Sequence, residues 1–410
     1  MKPKSLHDAA LAVVRRLHEH GHTAYFAGGC VRDMLLGREP KDFDVATDAQ
    51  PPRILELFRL TRRVGAQFGV VLVRQGRFWI EVATFRTDLS YSDGRHPDAV
   101  RFATPEEDAQ RRDFTINGMF FDPLAERIID FVGGQEDLTA RRLRAIGEPR
   151  HRFTEDHLRV LRAVRFASAY GCTIDPPTWQ AICEMAPMIR GVSAERIREE
   201  LTKSLSGPGR LDAARLLAGA GLLEHLWEGA TWSALHVETA LATIEHLPAE
   251  AGFEAVLAIL LLDRGVEEVH RICRMLTCSN RTREHVAWLV RHKDDLAEPA
   301  GLTLADLKLL MQSRHFGDLL VQVEALCRTT GAPMTTLDTI LTRVAAIPPD
   351  EIRPTPFISG DDLKAMGLRE GPAFSQILDR LYYAQLNNEL RSRAAAMRLA
   401  EELVANELRA

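Results

Sequence analysis

The feature that most constrains this chain is Gly28-Gly29-Cys30-Val31-Arg32-Asp33, followed nine residues later by Asp42-Phe43-Asp44. The glycines close an apolar run, Ala24-Tyr25-Phe26-Ala27, and Val31 to Leu36 reads as the start of a helix. A strand that must turn sharply into a helix is predicted here. Lacking a Cβ, Gly28 and Gly29 let a phosphate reach backbone N–H groups. Two carboxylates at i and i+2 of a strand share one face. Asp42 and Asp44 are therefore expected to hold two sets of oxygen donors together, as a Mg²⁺ site requires. A metal site beside a phosphate cradle is the equipment of nucleotidyl transfer.

The pattern around this motif predicts an α+β head. Strands are expected at Ala24–Ala27, Phe43–Ala46, Val70–Arg74, Phe78–Phe85 and Arg127–Phe131, each β-branched or aromatic and bounded by Gly, Asp or polar residues. Gln75-Gly76-Arg77 reads as a hairpin turn, so part of the sheet should be antiparallel. Residues 86–112 are polar around Asp93-Gly94-Arg95-His96-Pro97 and read as a loop or lid. From about 154 onward only helical periodicity is found, with a linker expected at Ile347–Pro356 and a final helix from about Ala373.

With 410 residues, 46% of them hydrophobic, the chain can bury a large core in more than one domain. No stretch approaches the roughly 18 unbroken apolar residues of a membrane span, and the N-terminus lacks the apolar segment of a signal peptide. The net charge of −5 does not announce a nucleic-acid binder, but phosphate binding needs only a local basic surface. Arginines cluster at 141–144, 150–152 and 159–165, where solvated helix faces are the competing reading. The six cysteines form no Cys-x-x-Cys pair and read as reduced core residues of a cytoplasmic protein. His236, His246, His270 and His292 are read as lacking Asp partners, so no second metal site is expected.

Three further stretches carry chemistry. Glu81 interrupts the apolar strand Phe78–Phe85, and a charge there is costly unless it has a partner; a third carboxylate facing Asp42 and Asp44 would resolve this. Arg111-Arg112-Asp113-Phe114-Thr115-Ile116-Asn117 places cations suited to a triphosphate beside Asp and Asn suited to ribose hydroxyls. The alternative is a helix N-cap by Asp113.

In Thr154–Arg165, Thr154 is expected to cap a helix on which Asp156, Arg159 and Arg162 share a face, with Arg165 slightly round it. A salt-bridge ladder would satisfy that spacing, and so would base recognition. An Asp acceptor beside an Arg donor matches the amine-bearing edges of cytosine and adenine, whereas guanine and uracil present a carbonyl there.

Taken in order, these motifs resemble the class II tRNA nucleotidyltransferase (CCA-adding enzyme) and poly(A) polymerase family. Gly28-Gly29-x-Val31-Arg32-Asp33 with Asp42-x-Asp44 resembles its catalytic motif, and Arg112–Asn117 its ribose and triphosphate motif. Glu155-Asp156-x-x-Arg159 is similar to its nucleotide-templating motif, with Arg162 and Arg165 as further contacts. Asp130-x-x-Gly133-Gly134 resembles the head–neck hinge, Ser193–Ile197 a neck helix, and Asp93-Gly94-Arg95 a flexible loop that accompanies A addition. Gly118 stands where the family usually carries Ala.

The resemblance implies a small mixed-sheet nucleotidyltransferase head at 1–145, a base-recognising neck at 146–220, a helical body at 221–350 and a tRNA-binding tail at 351–410. It implies Asp42, Asp44 and Glu81 as catalytic residues, with two Mg²⁺ ions on Asp42 and Asp44. Gly28, Gly29, Arg32, Asp33, Arg112, Asp113, Asn117, Asp156, Arg159, Arg162 and Arg165 would bind the nucleotide, and Arg95 would lie in the flexible loop. CTP, ATP and the 3′ end and acceptor stem of tRNA are the implied partners, with no membrane. An A-adding specialist or a poly(A) polymerase is the nearest alternative.

Overall fold

The computed structural model describes residues 3–63, 69–88, 99–227, 229 and 232–409. They group into two compact units, residues 1–233 with 275–277, and residues 234–274 with 278–410.

In the first unit the strands are β1 (Ala24–Ala27), β2 (Asp44–Thr47), β3 (Thr61–Arg63), β4 (Val70–Gln75), β5 (Phe78–Thr84), β6 (Arg86–Asp88), β7 (Val100–Phe102), β8 (Phe120–Asp122) and β9 (Arg127–Ile129). Seven of them make one sheet in the order β3-β4-β5-β2-β1-β8-β9. Only β2 and β5 run parallel; the other pairs are antiparallel. Alternation along β4 and β5 sends Val71, Val73, Ile80 and Val82 to one face, where the helix Leu6–Glu19 buries Ala9, Ala10, Val13, Val14 and Leu17. Fully burying a side chain of the Val or Leu class contributes about 1.5–3 kcal/mol, so this stripe anchors the sheet. Ser5 and Asp8 close the helix start with a reciprocal capping box. On the opposite face Ala27, Ala46, Phe85, Ala109 and Phe120 form a smaller core, leaving the carboxylate-bearing ends of β2 and β5 open.

The expected strands appear, with β2 beginning at Asp44, so Asp42 precedes the strand instead of lying on it. Gly76 turns the β4–β5 hairpin at φ 62°, with Gln75 opposite Phe78. Residues 86–88 and 99–112 are not a bare loop: β6 pairs with β7, and Thr104 starts the helix Pro105–Gln110 with a capping box. Residues 89–98, including Arg95, lie outside the described residues. Thr173–Ile174 pairs in parallel with Arg142–Leu143, a strand beyond residue 154 too short to display any period.

Arg159–Tyr170 and Ala194–Leu205 are the principal helices packed beside the head. The segment between head and helices is tightly tied. Asp130 accepts backbone N–H groups of Val132, Gly134 and Gln135, while buried Asp137 accepts Thr115, Arg142 and Arg144.

The described residues of the second unit are helical. Its helix Phe253–Leu260 is buried along most of its length. The expected linker at Ile347–Pro356 is instead packed: it contains the helix Pro349–Ile352, and Pro354 and Thr355 carbonyls accept from Tyr382 and Gln385. The proline content suggested a break, yet side chains from the neighbouring helix satisfy this backbone. The single final helix is two, Pro372–Leu386 and Arg393–Glu407. Two of the four histidines do find carboxylates, contrary to expectation: His236 Nδ1 lies 3.0 Å from Asp263 and His292 Nδ1 2.6 Å from Asp295. His292 and Asp295 are three residues apart on one turn, and Asp263 reaches His236 across the fold, so spacing alone did not expose that second pair.

Gly118 is explained by its neighbours. A Cβ there would come within 2.7 Å of Val132 Cγ2 and 2.9 Å of Ile146 Cδ1. Gly118→Ala is expected to destabilise the chain by about 1–3 kcal/mol, read by urea denaturation. Adding Val132→Ala should recover part of that loss; no recovery would show that the contact is not the cause.

Candidate active site

The site begins where β1 ends. Gly28 takes φ 72° and starts the helix Gly29–Leu35. A Cβ on Gly28 would lie 2.9 Å from Arg112 Nη1, so both backbone angle and space require glycine. Parallel pairing of β2 with β5 sets Asp44 beside Glu81. Asp42, two residues earlier, adds a third carboxylate to the same region. Burial and the charges of Glu81 and Asp42, opposed only by Arg112, push the Asp44 carboxyl up to about 7. Burial and Asp42 also raise Glu81, with Arg86 opposing. Asp44 and Glu81, both held above the usual carboxylate range, make with Asp42 an oxygen-donor set suited to hard divalent cations.

Opposite them stands a wall of guanidinium groups, each fixed by a carboxylate. Buried Asp108 takes Arg111 on Oδ1 at 2.7 and 2.9 Å and Arg112 on Oδ2 at 3.0 and 3.2 Å. Burial works to raise Asp108, but Arg112 and Arg111 more than offset it and its pKa is lowered. Asp113 is fully enclosed: Oδ1 accepts Phe114 N and Asn117 Nδ2, and Oδ2 accepts Arg162 Nε and Nη2 at 2.9 and 2.5 Å. Burial again opposes, but Arg162 and its hydrogen bonds hold the group near 2. Asp113 therefore caps no helix; it bridges the head to Arg159–Tyr170. Asn117 Oδ1 in turn accepts Arg32 Nη1 at 2.5 Å.

On the helical side, Thr154 is not a cap. It lies inside the helix Pro149–Glu155 and donates to the Arg150 carbonyl, and the next helix starts only at Arg159. Asp156 sits in the break between the two, its Oδ1 accepting Leu158 N and its Oδ2 accepting Arg196 Nη2 at 2.8 Å. Arg159 pairs with Glu155, and Arg165 with Glu200 at 2.6 Å. Arg165, Arg162 and Arg32 stack around the Phe166 ring at 4.1, 5.2 and 5.3 Å.

These groups enclose a cavity of about 560 Å³ lined by Gly28, Gly29, Arg32, Asp42, Asp44, Arg112, Asp113, Asn117, Asp156, Arg159, Arg162 and Arg165 among others. Its lining carries eight cationic side chains against five carboxylates, an excess suited to a polyphosphate. Two predicted residues stand outside it. Glu81 lies beside Asp44 on the neighbouring strand, and Asp33 faces away, where its Oδ1 accepts Arg32 and the Tyr170 hydroxyl. Sequence reasoning named Arg111 only as a cation beside Arg112, and passed over Asp108, Phe166, Arg196 and Glu200. Arg196 and Glu200 are four apart on Ala194–Leu205, a spacing that marks one helix face but not what the face meets.

Comparison with known proteins fits this geometry. A family model described as the poly A polymerase head domain matches residues 24–144, and one described as a probable RNA and SrmB-binding site of polymerase A matches 171–232. The CCA-adding enzyme of Geobacillus stearothermophilus is 35% identical over 393 residues, covering 95% of each chain. The structure of the Bacillus stearothermophilus CCA-adding enzyme in complex with CTP is 32% identical, covers 100% of both chains and superposes with a TM-score of 0.78. That of the Thermotoga maritima enzyme complexed with tRNA shares the fold at 20% identity, over 96% of this chain and 94% of that one, with a TM-score of 0.69.

The position of Asp44 makes metal-free stability depend on pH. Its pKa rises from 3.8 to about 7 on folding, so its contribution is complete below pH 4 and is lost as pH climbs through 7. In EDTA at pH 8, Asp44→Asn should melt higher than the parent by about 2–4 °C, and the gap should close toward pH 4. A gap independent of pH would rule this out.

Proposed function

Because the chain belongs to the CCA-adding enzyme and poly(A) polymerase family of nucleotidyltransferases, we propose that it completes the 3′ end of tRNA with C, C and A, taking CMP and AMP from CTP and ATP. The observation that carries this reading is the pairing, in one cavity, of Asp42 and Asp44, with Glu81 beside Asp44 on the neighbouring strand, with an arginine wall that ends at Asp156 and Arg159. In the reaction the RNA 3′-hydroxyl oxygen bonds to the α-phosphorus, the bond from that phosphorus to the bridging oxygen breaks, and pyrophosphate leaves. The Asp42 and Asp44 carboxylates fit two Mg²⁺ ions, which when bound supply Lewis acidity to the hydroxyl and the triphosphate. Glu81, whose carboxyl is raised, is suited to taking the hydroxyl proton. Gly28 and Gly29 leave room for the phosphates against the backbone, and Arg32 and Arg112 balance their charge.

Base choice falls to the helical wall. Asp156 accepts and Arg159 donates, a pattern that suits cytosine and adenine and opposes guanine and uracil. Arg196 keeps Asp156 turned toward the cavity, while Arg162 and Arg165 buttress the pair through Asp113, Glu200 and Phe166. The same templating pair would serve both bases in turn, without a nucleic-acid template. The six free cysteines accord with a reducing, cytoplasmic setting.

Three tRNA transcripts test the proposal: one lacking CCA, one ending in C and one ending in CC. Each is incubated with Mg²⁺ and CTP, ATP or both, and resolved at single-nucleotide resolution. Growth of the first by three nucleotides and no more is expected. Extension only of the CC-ended transcript by one A would make the chain an A-adding specialist, and an unbounded ladder of A a poly(A) polymerase.

Asp42→Ala should lower turnover by more than about a hundredfold. Arg196→Ala should cost CTP-over-UTP discrimination about tenfold or more, with a smaller effect on turnover with CTP. Discrimination unchanged in both Arg196→Ala and Asp156→Asn would remove Asp156 from base selection.

A further inference from the structure

The helical second unit holds a group of side chains that this chemistry does not use. His285 lies on the helix Asn280–Arg291, His315 immediately precedes the helix Phe316–Thr330, and Asp318 sits in the first turn of that helix. Each offers a ligand atom within 4.8 Å of the other two. The two imidazoles stack with centroids 3.8 Å apart and planes 20° from parallel. From this geometry we infer that His285, His315 and Asp318 form a binding site for a transition-metal dication of the Zn²⁺ class, clipping the two helices together.

Several observations point the same way. His285 Nε2 is buried and lies 2.9 Å from an Asp318 oxygen. A metal bound there would be held by imidazole nitrogen and carboxylate together. His315 Nε2 accepts from Arg314 Nε at a long 3.3 Å. That contact requires a lone pair on the His315 nitrogen, which is the form that ligates metal.

The surrounding charges are Asp318 and Glu254 on one side and Arg314 and Arg281 on the other. Glu254 accepts the Thr282 hydroxyl at 3.0 Å, and the fourth ligand position falls to water. Two imidazoles and one carboxylate select Zn²⁺, Co²⁺ or Ni²⁺ over Mg²⁺, which prefers oxygen alone. The site is thus chemically distinct from the Asp42–Asp44 group in the first unit. With metal–ligand bonds of roughly 2.0–2.2 Å, binding would turn the stacked rings and release Arg314 from His315 Nε2.

The test uses the full chain, stripped with EDTA and then held in excess Mg²⁺ to occupy the carboxylate group of the first unit. Titration with Co²⁺ is expected to give the visible band of a four-coordinate ion, saturating at one equivalent per chain, and Zn²⁺ should bleach it. Bound metal should also raise the melting temperature.

His315→Ala and His285→Ala should each weaken binding by about tenfold or more, and Asp44→Asn should leave the band unchanged. Asp318 is half exposed, so Asp318→Asn leaves the fold intact and should also weaken binding. No band, a band that survives in all three variants of the cluster, or one lost in Asp44→Asn would overturn the assignment.

Discussion

The bond between Asp113 and Arg162 is the contact on which the rest of the site depends. It lies where the sheet domain meets the helix Arg159–Tyr170, with the carboxylate wholly enclosed and held near 2. A buried ion pair repays its desolvation only when its remaining polar atoms are also satisfied. Here they are: the Phe114 N–H and the Asn117 amide fill the second oxygen. From Asn117 the chain of bonds continues to Arg32, from Arg32 to Asp33, and from Asp33 back to Tyr170 on the same helix. The head thus grips one helix at two points, and the Arg32 guanidinium between them stacks 4.1 Å from the Tyr170 ring. Breaking a buried pair of this kind costs about 3–5 kcal/mol. Loss of Asp113 would therefore disturb the geometry of the whole cavity as well as one contact within it.

A second constraint is electrostatic. The carboxylates of β2 and β5 are crowded by one another, whereas the arginines across the cavity are held by carboxylates behind them, Arg111 and Arg112 sharing Asp108 and the others paired with Asp113, Asp156, Glu155 or Glu200. The two halves meet the same ligand differently. One side is crowded with carboxylates; the other holds guanidinium groups already fixed in place, so binding an anion there would cost little side-chain entropy. The fixed wall also gives a chain with a net charge of −5 a locally basic cavity. The positive excess is local, and carboxylates behind the arginines supply rigidity without cancelling the field in front.

What was legible in the sequence followed from short-range rules. Alternation set β1, β4 and β5 and turned Glu81 away from Ile80 and Val82, and the Gly28-Gly29 turn declared its own backbone geometry. Proximity through the fold was less visible. Asp42 and Asp44 do converge, but by a loop entering a strand and not by strand alternation. Thr154 had the composition of a cap and lost that place because the helix breaks two residues later, at Asp156. The same break presents Asp156 to the cavity. Arg196 and Glu200 could not be found from spacing, because their role exists only once a second helix lies against the first. Short strands such as Arg86–Asp88 and Thr173–Ile174 carry too few residues to show a period, and proline near residue 350 signalled a linker where Tyr382 and Gln385 instead tie the backbone down.

The break at Asp156 also accounts for why one site can present two properties that usually conflict. A continuous helix would place Asp156 and Arg159 on a fixed ladder, paired with each other and closed to a base. Separating them by a turn lets Glu155 hold Arg159 and Arg196 hold Asp156, so each keeps unused hydrogen-bonding capacity directed at the cavity. A guanidinium has five donors and a carboxylate about four acceptor positions; the partners behind them use only part of each. Rigidity and readiness to bind then come from the same ion pairs, which order the side chains without exhausting them.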